Sequence, residues 1–251
     1  MPIALESSSK ISVEPAQHAP GSQCNFGVVV RGCNVAEIDA WTSEQWDEIK
    51  DLVFKHQVVI FKDQYEVGGT TQLAPECWLT VTRQLHPRHQ LELMKCYSAD
   101  APVAGMHSAD PKAFQLRSGA QVLIPEVPVT QVVGCGEVPE GHYGIGGTKI
   151  HQRTSRHLYK TPLTAEEEAA GIVRPVQVHF DGAFNELEPP QVGSLFCVQP
   201  PVGEDLTLRF DNENGGELKI SPGSTVYWSM TQAYELLSEQ ERAIVDNSRV
   251  E

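Results

Sequence analysis

The second half of this 251-residue chain is a succession of short apolar runs, and nothing else in the sequence constrains the fold as much. Runs at 176–184, 193–199, 206–211, 217–220 and 224–229 are rich in Val, Leu, Phe and Thr and are set apart by Pro and Gly. Runs of that length read as strands, and Asn214-Gly215-Gly216 supplies a hairpin turn between two of them. A further strand is expected at 129–134, ahead of the Gly-rich loop "GCGEVPEGHYGIGG". Many short strands with this punctuation favour a sandwich or barrel over alternating βαβ units.

The first half opens differently. Residues 1–22 are polar, with Pro, Ser and Gly, and are expected to form a flexible tail ahead of one domain over 23–251. "FGVVVRGCNV" reads as a strand running into a loop, and "VVIFKD" (58–63) as a short buried strand. Between them, Thr42 and Gln45 form a capping box, and Trp46, Ile49, Leu52 and Val53 recur at helical spacing, so a helix is expected over 42–56. Further helices are expected near "PECWLTVTRQL", over "LTAEEEAAG", and over 231–246, where Ser238 and Glu241 form a second capping box.

Charge narrows the partners. The formal net charge is −14, so nucleic acid and anionic membrane surfaces are repelled. An anionic small substrate would need a local basic pocket against this field. No apolar run approaches a membrane span, and the N-terminus has no apolar core of a secretory signal. Cys24, Cys33, Cys77, Cys96, Cys135 and Cys197 make no CxxC pair, which suits reduced thiols in a soluble, cytoplasmic protein.

The stretch "VQVHFDGAF" carries the chemistry. Along an extended strand His179 and Asp181 fall on one face, where an imidazole and a carboxylate can chelate one divalent metal. Alone the pattern is weak: with 33 acidic residues in 251, about one of nine histidines acquires an acidic residue at +2 by chance. The bland alternative is a surface histidine beside a solvated aspartate.

Its surroundings give the pair more weight. "VHFDGAFNELEPPQVGSLFCVQPPVGEDLTLRFDNENGG", "PGSTVYWS" and "LLSEQERAIVDNSRVE" resemble the iron(II)- and 2-oxoglutarate-dependent dioxygenases of the taurine dioxygenase family, in particular the fungal branch that includes xanthine hydroxylase. "FGVVVRGCNVAEI" and "TSEQWDEIKDLVFKHQVVIFKDQ" are similar to that family's opening strand–helix–strand. The likeness covers most of 26–63 and 129–251, and its motifs are specific in combination.

The resemblance implies a mainly β fold with flanking helices (α+β), built on a double-stranded β-helix, or jelly-roll, core that is incomplete on its C-terminal side. It implies a dioxygenase hydroxylating a small molecule with Fe(II), 2-oxoglutarate as cosubstrate and O2. His179 and Asp181 become two of three iron ligands, and Thr207 bonds the distal carboxylate of 2-oxoglutarate. Lys149, in "GGTKIHQR", stands where xanthine hydroxylases carry a substrate-site lysine, although a solvated surface lysine reads equally well. Whether the chain forms a homo-oligomer is left open.

Two departures matter. Val178 stands where many relatives have an aromatic residue before the histidine. No histidine follows His179, and the chain ends 70 residues past Asp181. The family's distal histidine and its 2-oxoglutarate-binding arginine lie farther downstream, so weak iron binding and little turnover are expected. The resemblance therefore leaves two readings, an incomplete chain of an active enzyme and an inactive pseudoenzyme or binding remnant. A cupin-like metal hydrolase is a remote third, since it requires His142, His151 or His157 to fold back beside His179; irregular spacing in a polar segment favours His151 and His157 as ordinary surface residues. "GIGG" lacks the GK[ST] ending of a phosphate loop.

Overall fold

A computed structural model of the chain describes residues 11–64, 85–97, 122–138, 140–150, 159–176, 178–180, 191–198, 200–211 and 215–249. It divides into two compact units, one of Met1–His89 with Tyr227–Glu251, the other of Gln90–Val226. Among the described residues, ten strands in four sheets accompany five α-helices, an inventory in line with a β-rich fold with flanking helices. No helix among them is long and apolar enough to cross a membrane.

The first unit is built on a three-stranded sheet. Strands β1 (Ser12–Pro15), β2 (Val28–Arg31) and β3 (Val59–Phe61) lie in that order, with β1 antiparallel and β3 parallel to β2. β1 falls inside the segment expected to be a flexible tail, so that expectation does not hold for residues 12–15. Their backbone pairs with β2 from Ser12 opposite Arg31 to Pro15 opposite Val28.

A parallel pair needs a crossover, and α1 (Ser43–His56) provides it. Thr42 Oγ1 accepts from the Gln45 amide at 3.3 Å while Gln45 Oε1 accepts from the Thr42 amide at 2.9 Å, closing the expected capping box. Ile49 is fully buried, and Trp46, Leu52 and Val53 are half-buried on the same stripe. Val28 and Val30 of β2, with Val35, Ile38 and Ile49, form the most buried part of this unit. Gln64 fastens the loop after β2: its amide donates to Cys33 O at 2.7 Å and Lys62 O at 2.8 Å, and its carbonyl accepts from the Val35 amide at 2.7 Å.

Helix α2 (Pro87–Lys95) was not anticipated; the helix expected at 75–85 lies, but for Leu85, outside the described residues. Proline in the first turn is compatible with a helix start, because its missing N–H has no helical partner there. In the second unit, β4 (Val122–Ile124) pairs with β5 (Val127–Val132), and β6 (Gly136–Val138) with β7 (Thr148–Ile150), both antiparallel. Ile124, Val127, Val138 and Ile145 form a buried cluster, flanked by Leu91, Val132 and Ile150.

Helix α3 (Ala165–Ala169) starts with its own capping box, Thr164 with Glu167. Strands β8 (Ile172–Val173), β9 (Leu206–Arg209) and β10 (Glu217–Ile220) form a sheet in the order β10-β9-β8. β9 and β10 are the expected hairpin: Gly215 has φ 55°, and the Phe210 amide donates to Gly216 O at 2.9 Å. The described parts of 193–199 and 224–229 carry no strand, which corrects the sequence expectation. In the first of these, Ser194 O accepts from the Gln90 side chain at 3.1 Å.

The last two helices, α4 (Met230–Glu235) and α5 (Glu239–Asn247), belong to the first unit. One helix was expected over 231–246. Ser238 interrupts it by turning extended and capping a new start, its Oγ accepting from the Glu241 amide at 3.3 Å. Tyr234 joins the two helices by donating to Asp246 Oδ1 at 2.9 Å.

Candidate functional site

His179 lies on an exposed segment that follows β8. Val176, Val178 and Phe180 are each 64–69% exposed, so the alternation that suggested a strand is not accompanied by a buried face. Residues 176 and 178–180 form no ladder, and the strand expected at 176–184 is absent from its described part. Pro175 has no amide to offer a neighbouring strand, and its carbonyl accepts from the Tyr159 hydroxyl instead. Asp181 lies outside the described residues. Among the described residues, no group of three or more His, Cys, Asp and Glu side chains is gathered to hold a metal.

Thr207 sits in the middle of the β10-β9-β8 sheet, opposite Lys219 on one side and Ile172 on the other. It is half-buried, whereas its neighbour Leu208, on the opposite face, is only 6% exposed. The Thr207 amide donates to Gly171 O at 2.9 Å, and its hydroxyl accepts from Lys219 Nζ at 2.7 Å. Lys149 is exposed on β7, opposite Glu137 of β6.

One polar assembly in this unit escaped the sequence reading. Arg174, five residues before His179, has a side chain only 9% exposed and lies 3.7 Å from Asp211. Its Nη1 donates to Arg209 O at 3.1 Å and Phe210 O at 2.9 Å, and its Nη2 donates to Thr161 O at 2.7 Å. Asp211 in turn accepts from the Lys160 amide at 2.6 Å and the Thr161 amide at 3.2 Å. This clamp ties the start of the His179 segment to the end of the strand that carries Thr207. The only sequence signal was a charged residue set inside an apolar run, between Val173 and Pro175.

Electrostatics elsewhere follow from burial and pairing. Burial holds the His142 imidazole below its ordinary pKa, and that ring packs edge-on against Tyr143 with centroids 4.7 Å apart. Bonding to the Thr164 amide, then to Arg209, lowers the Glu167 carboxyl. His151 and His157 lie outside the described residues.

Sequence comparison finds relatives of this chain. The chain is 26% identical over 241 residues to the alpha-ketoglutarate-dependent dioxygenase bsc9 of Alternaria brassicicola, covering 96% of this chain and 57% of that protein. It is 28% identical over 227 residues to the alpha-ketoglutarate-dependent xanthine dioxygenase xan1 of Schizosaccharomyces pombe, covering 90% of this chain and 50% of the relative. The chain is homologous to the fungal alpha-ketoglutarate-dependent dioxygenases. The xanthine dioxygenase xanA of Emericella nidulans extends this set, at 27% identity over 242 residues, 96% of this chain and 59% of that protein. Alpha-ketoglutarate is 2-oxoglutarate, so these relatives support the family and branch inferred from the motifs. This chain spans between 50% and 59% of the length of these three relatives. No family model and no solved structure matches it.

Proposed function

We propose that this chain carries the metal- and cosubstrate-binding core of a 2-oxoglutarate-dependent dioxygenase that hydroxylates a small molecule. The observation that carries the reading is similarity over 90% or more of the chain to relatives named for that cosubstrate. Its sheets are read as parts of a double-stranded β-helix.

The donor chemistry fits an iron site. His179 offers a solvent-accessible imidazole, and Asp181 adds a carboxylate two residues on. One nitrogen and one oxygen donor are two-thirds of the facial set that suits Fe(II). The ion, when bound, supplies the oxidative chemistry and leaves open positions for 2-oxoglutarate and O2. The protein's part is to hold and orient. His179 contributes a ring-nitrogen donor to the ion. Thr207 offers its hydroxyl proton to the distal carboxylate of the cosubstrate, and Lys149 contacts the substrate. Among the named substrates of its relatives, xanthine is the first to try.

The test separates binding from turnover. Cobalt(II), as a spectroscopic substitute, is titrated into the chain and into His179→Ala and Asp181→Ala. Binding lost in both variants supports the site; binding unchanged in both overturns it. Fe(II), 2-oxoglutarate and then O2 are added to the same preparation, and succinate is measured. Succinate formation that disappears in His179→Ala identifies a working enzyme. Metal binding without succinate shows that this chain holds the ion but does not turn over by itself.

A further inference from the structure

Within the proposed function, the chemistry left open is what positive charge meets the cosubstrate's distal carboxylate. In a chain of net charge −14 a small dianion is repelled unless a local cation receives it. On the Thr207 face of the β10-β9-β8 sheet, two cations stand at alternate register positions. Arg209 is opposite Glu217, and Lys219 is opposite Thr207.

These two cations are in different electrostatic situations. Arg209 is neutralised, with its Nε 2.7 Å from Glu217 and its Nη1 on Glu167. Lys219 has no carboxylate within ion-pair distance among the described residues; its ammonium donates to Thr207 Oγ1 at 2.7 Å. The acid two residues before Thr207, Asp205, accepts from the Ser221 hydroxyl at 3.2 Å. Among the described residues, Lys219 is therefore the cation of this face with no ion-pair partner, and it sits on the threonine already implicated.

The hydrogen-bond direction sharpens the point. An ammonium has only donors, so the Thr207 hydroxyl must be the acceptor in this contact. Its own proton is then directed elsewhere. Together the pair offers a hydroxyl proton and the remaining ammonium protons, which is a donor set suited to a carboxylate.

We infer that Lys219 and Thr207 form a carboxylate-binding pair, with Lys219 supplying the charge that holds the distal carboxylate of 2-oxoglutarate. The inference rests on the dioxygenase reading and adds a residue to it. A carboxylate entering the pair takes one hydrogen bond from each side chain, and no bond to carbon changes. The competing role for Lys219 is that of a charged guard on an edge strand, which would leave ligand affinity untouched.

The experiment is equilibrium binding under anaerobic Fe(II), comparing 2-oxoglutarate with 2-oxopentanoate, which keeps the keto acid and lacks the distal carboxylate. Lys219→Ala is expected to weaken 2-oxoglutarate by about fivefold or more, the scale of an accessible ion pair with a directed hydrogen bond. Binding of 2-oxopentanoate stays unchanged, and Lys219→Arg recovers most of the loss. Lys219 is exposed, so the variants keep the fold, which circular dichroism checks. Equal affinity for 2-oxoglutarate in the wild-type chain and Lys219→Ala overturns the inference while leaving the dioxygenase reading intact. A parallel loss for both keto acids also overturns it, since the effect is then not on the distal carboxylate. A wild-type chain that binds neither keto acid overturns both.

Discussion

The guanidinium of Arg174 and the carboxylate of Asp211 lie 3.7 Å apart with side chains only 9% and 18% exposed, and between them they engage five backbone groups. Removing one side of such a pair leaves the other charge buried, which costs more than the pair itself contributes. Asp211→Ala also leaves the Lys160 and Thr161 amides without their acceptor. We expect a loss of about 3 kcal/mol, at the low end for a buried pair because Asp211 retains some water contact. Asp211→Asn, which keeps a carbonyl for the amides, loses less. Urea denaturation measures both, and equal midpoints for wild type and Asp211→Ala would refute the clamp.

Gly223 gives a sharper local test. Its φ is +71°, and a Cβ added there would meet Pro201 Cγ at 2.6 Å and Cδ at 2.7 Å. Gly223→Ala therefore combines left-handed backbone strain with overlap against a rigid ring, for an expected cost of about 2–3 kcal/mol. Gly193→Ala is the control, because a Cβ there meets nothing within 4 Å. Comparable denaturation midpoints for the two variants would contradict the packing of Gly223 on Pro201.

What the sequence disclosed was mostly local. The capping boxes at Thr42 and Ser238 link residues three apart, and the α1 stripe of Trp46, Ile49, Leu52 and Val53 repeats within one helix. The Gly215 hairpin is equally short-range. Pairing between distant segments was less legible. Residues 176–180 alternate in sequence like a strand, yet after Pro175 the described residues 176 and 178–180 join no ladder. β1 looked too polar to be ordered, but β2 needed a partner on that edge. At the candidate site, His179 and Thr207 were named from motifs, whereas Lys219 emerges only when β9 and β10 are brought into register, and the Arg174–Asp211 clamp only when β8 is paired with β9.

Cys33 predicts a pH effect in the first unit. Burial, reinforced by the negative charges of Glu48 and Glu37, pushes its thiol up from 9.0 to about 12. The folded state therefore holds this proton more tightly than the unfolded chain. Its contribution to stability is complete below about pH 9 and is lost as pH rises toward about 12. Cys33→Ala should flatten that part of the stability–pH curve. In the native protein at about pH 8, Cys33 should resist iodoacetamide while exposed Cys135 and Cys197 react, as mass spectrometry of the alkylated peptides will show. Equal labelling of Cys33 and Cys135 would refute this burial.

The final prediction separates the proposed role of His179 from its place in the fold. Its side chain is exposed, on a segment whose neighbours Val178 and Phe180 are exposed as well. Truncating it removes little packing, so His179→Ala should shift stability by less than about 0.5 kcal/mol. Loss of a ligand from a site with few donors has a much larger effect on metal affinity, expected at about tenfold or more, since losing even a group that only orients a ligand costs that much. The two readouts should therefore part: an unchanged urea midpoint in the metal-free protein, and cobalt(II) absorption that no longer saturates. A variant that keeps its cobalt(II) spectrum would remove His179 from the site, and one that unfolds would make its role structural.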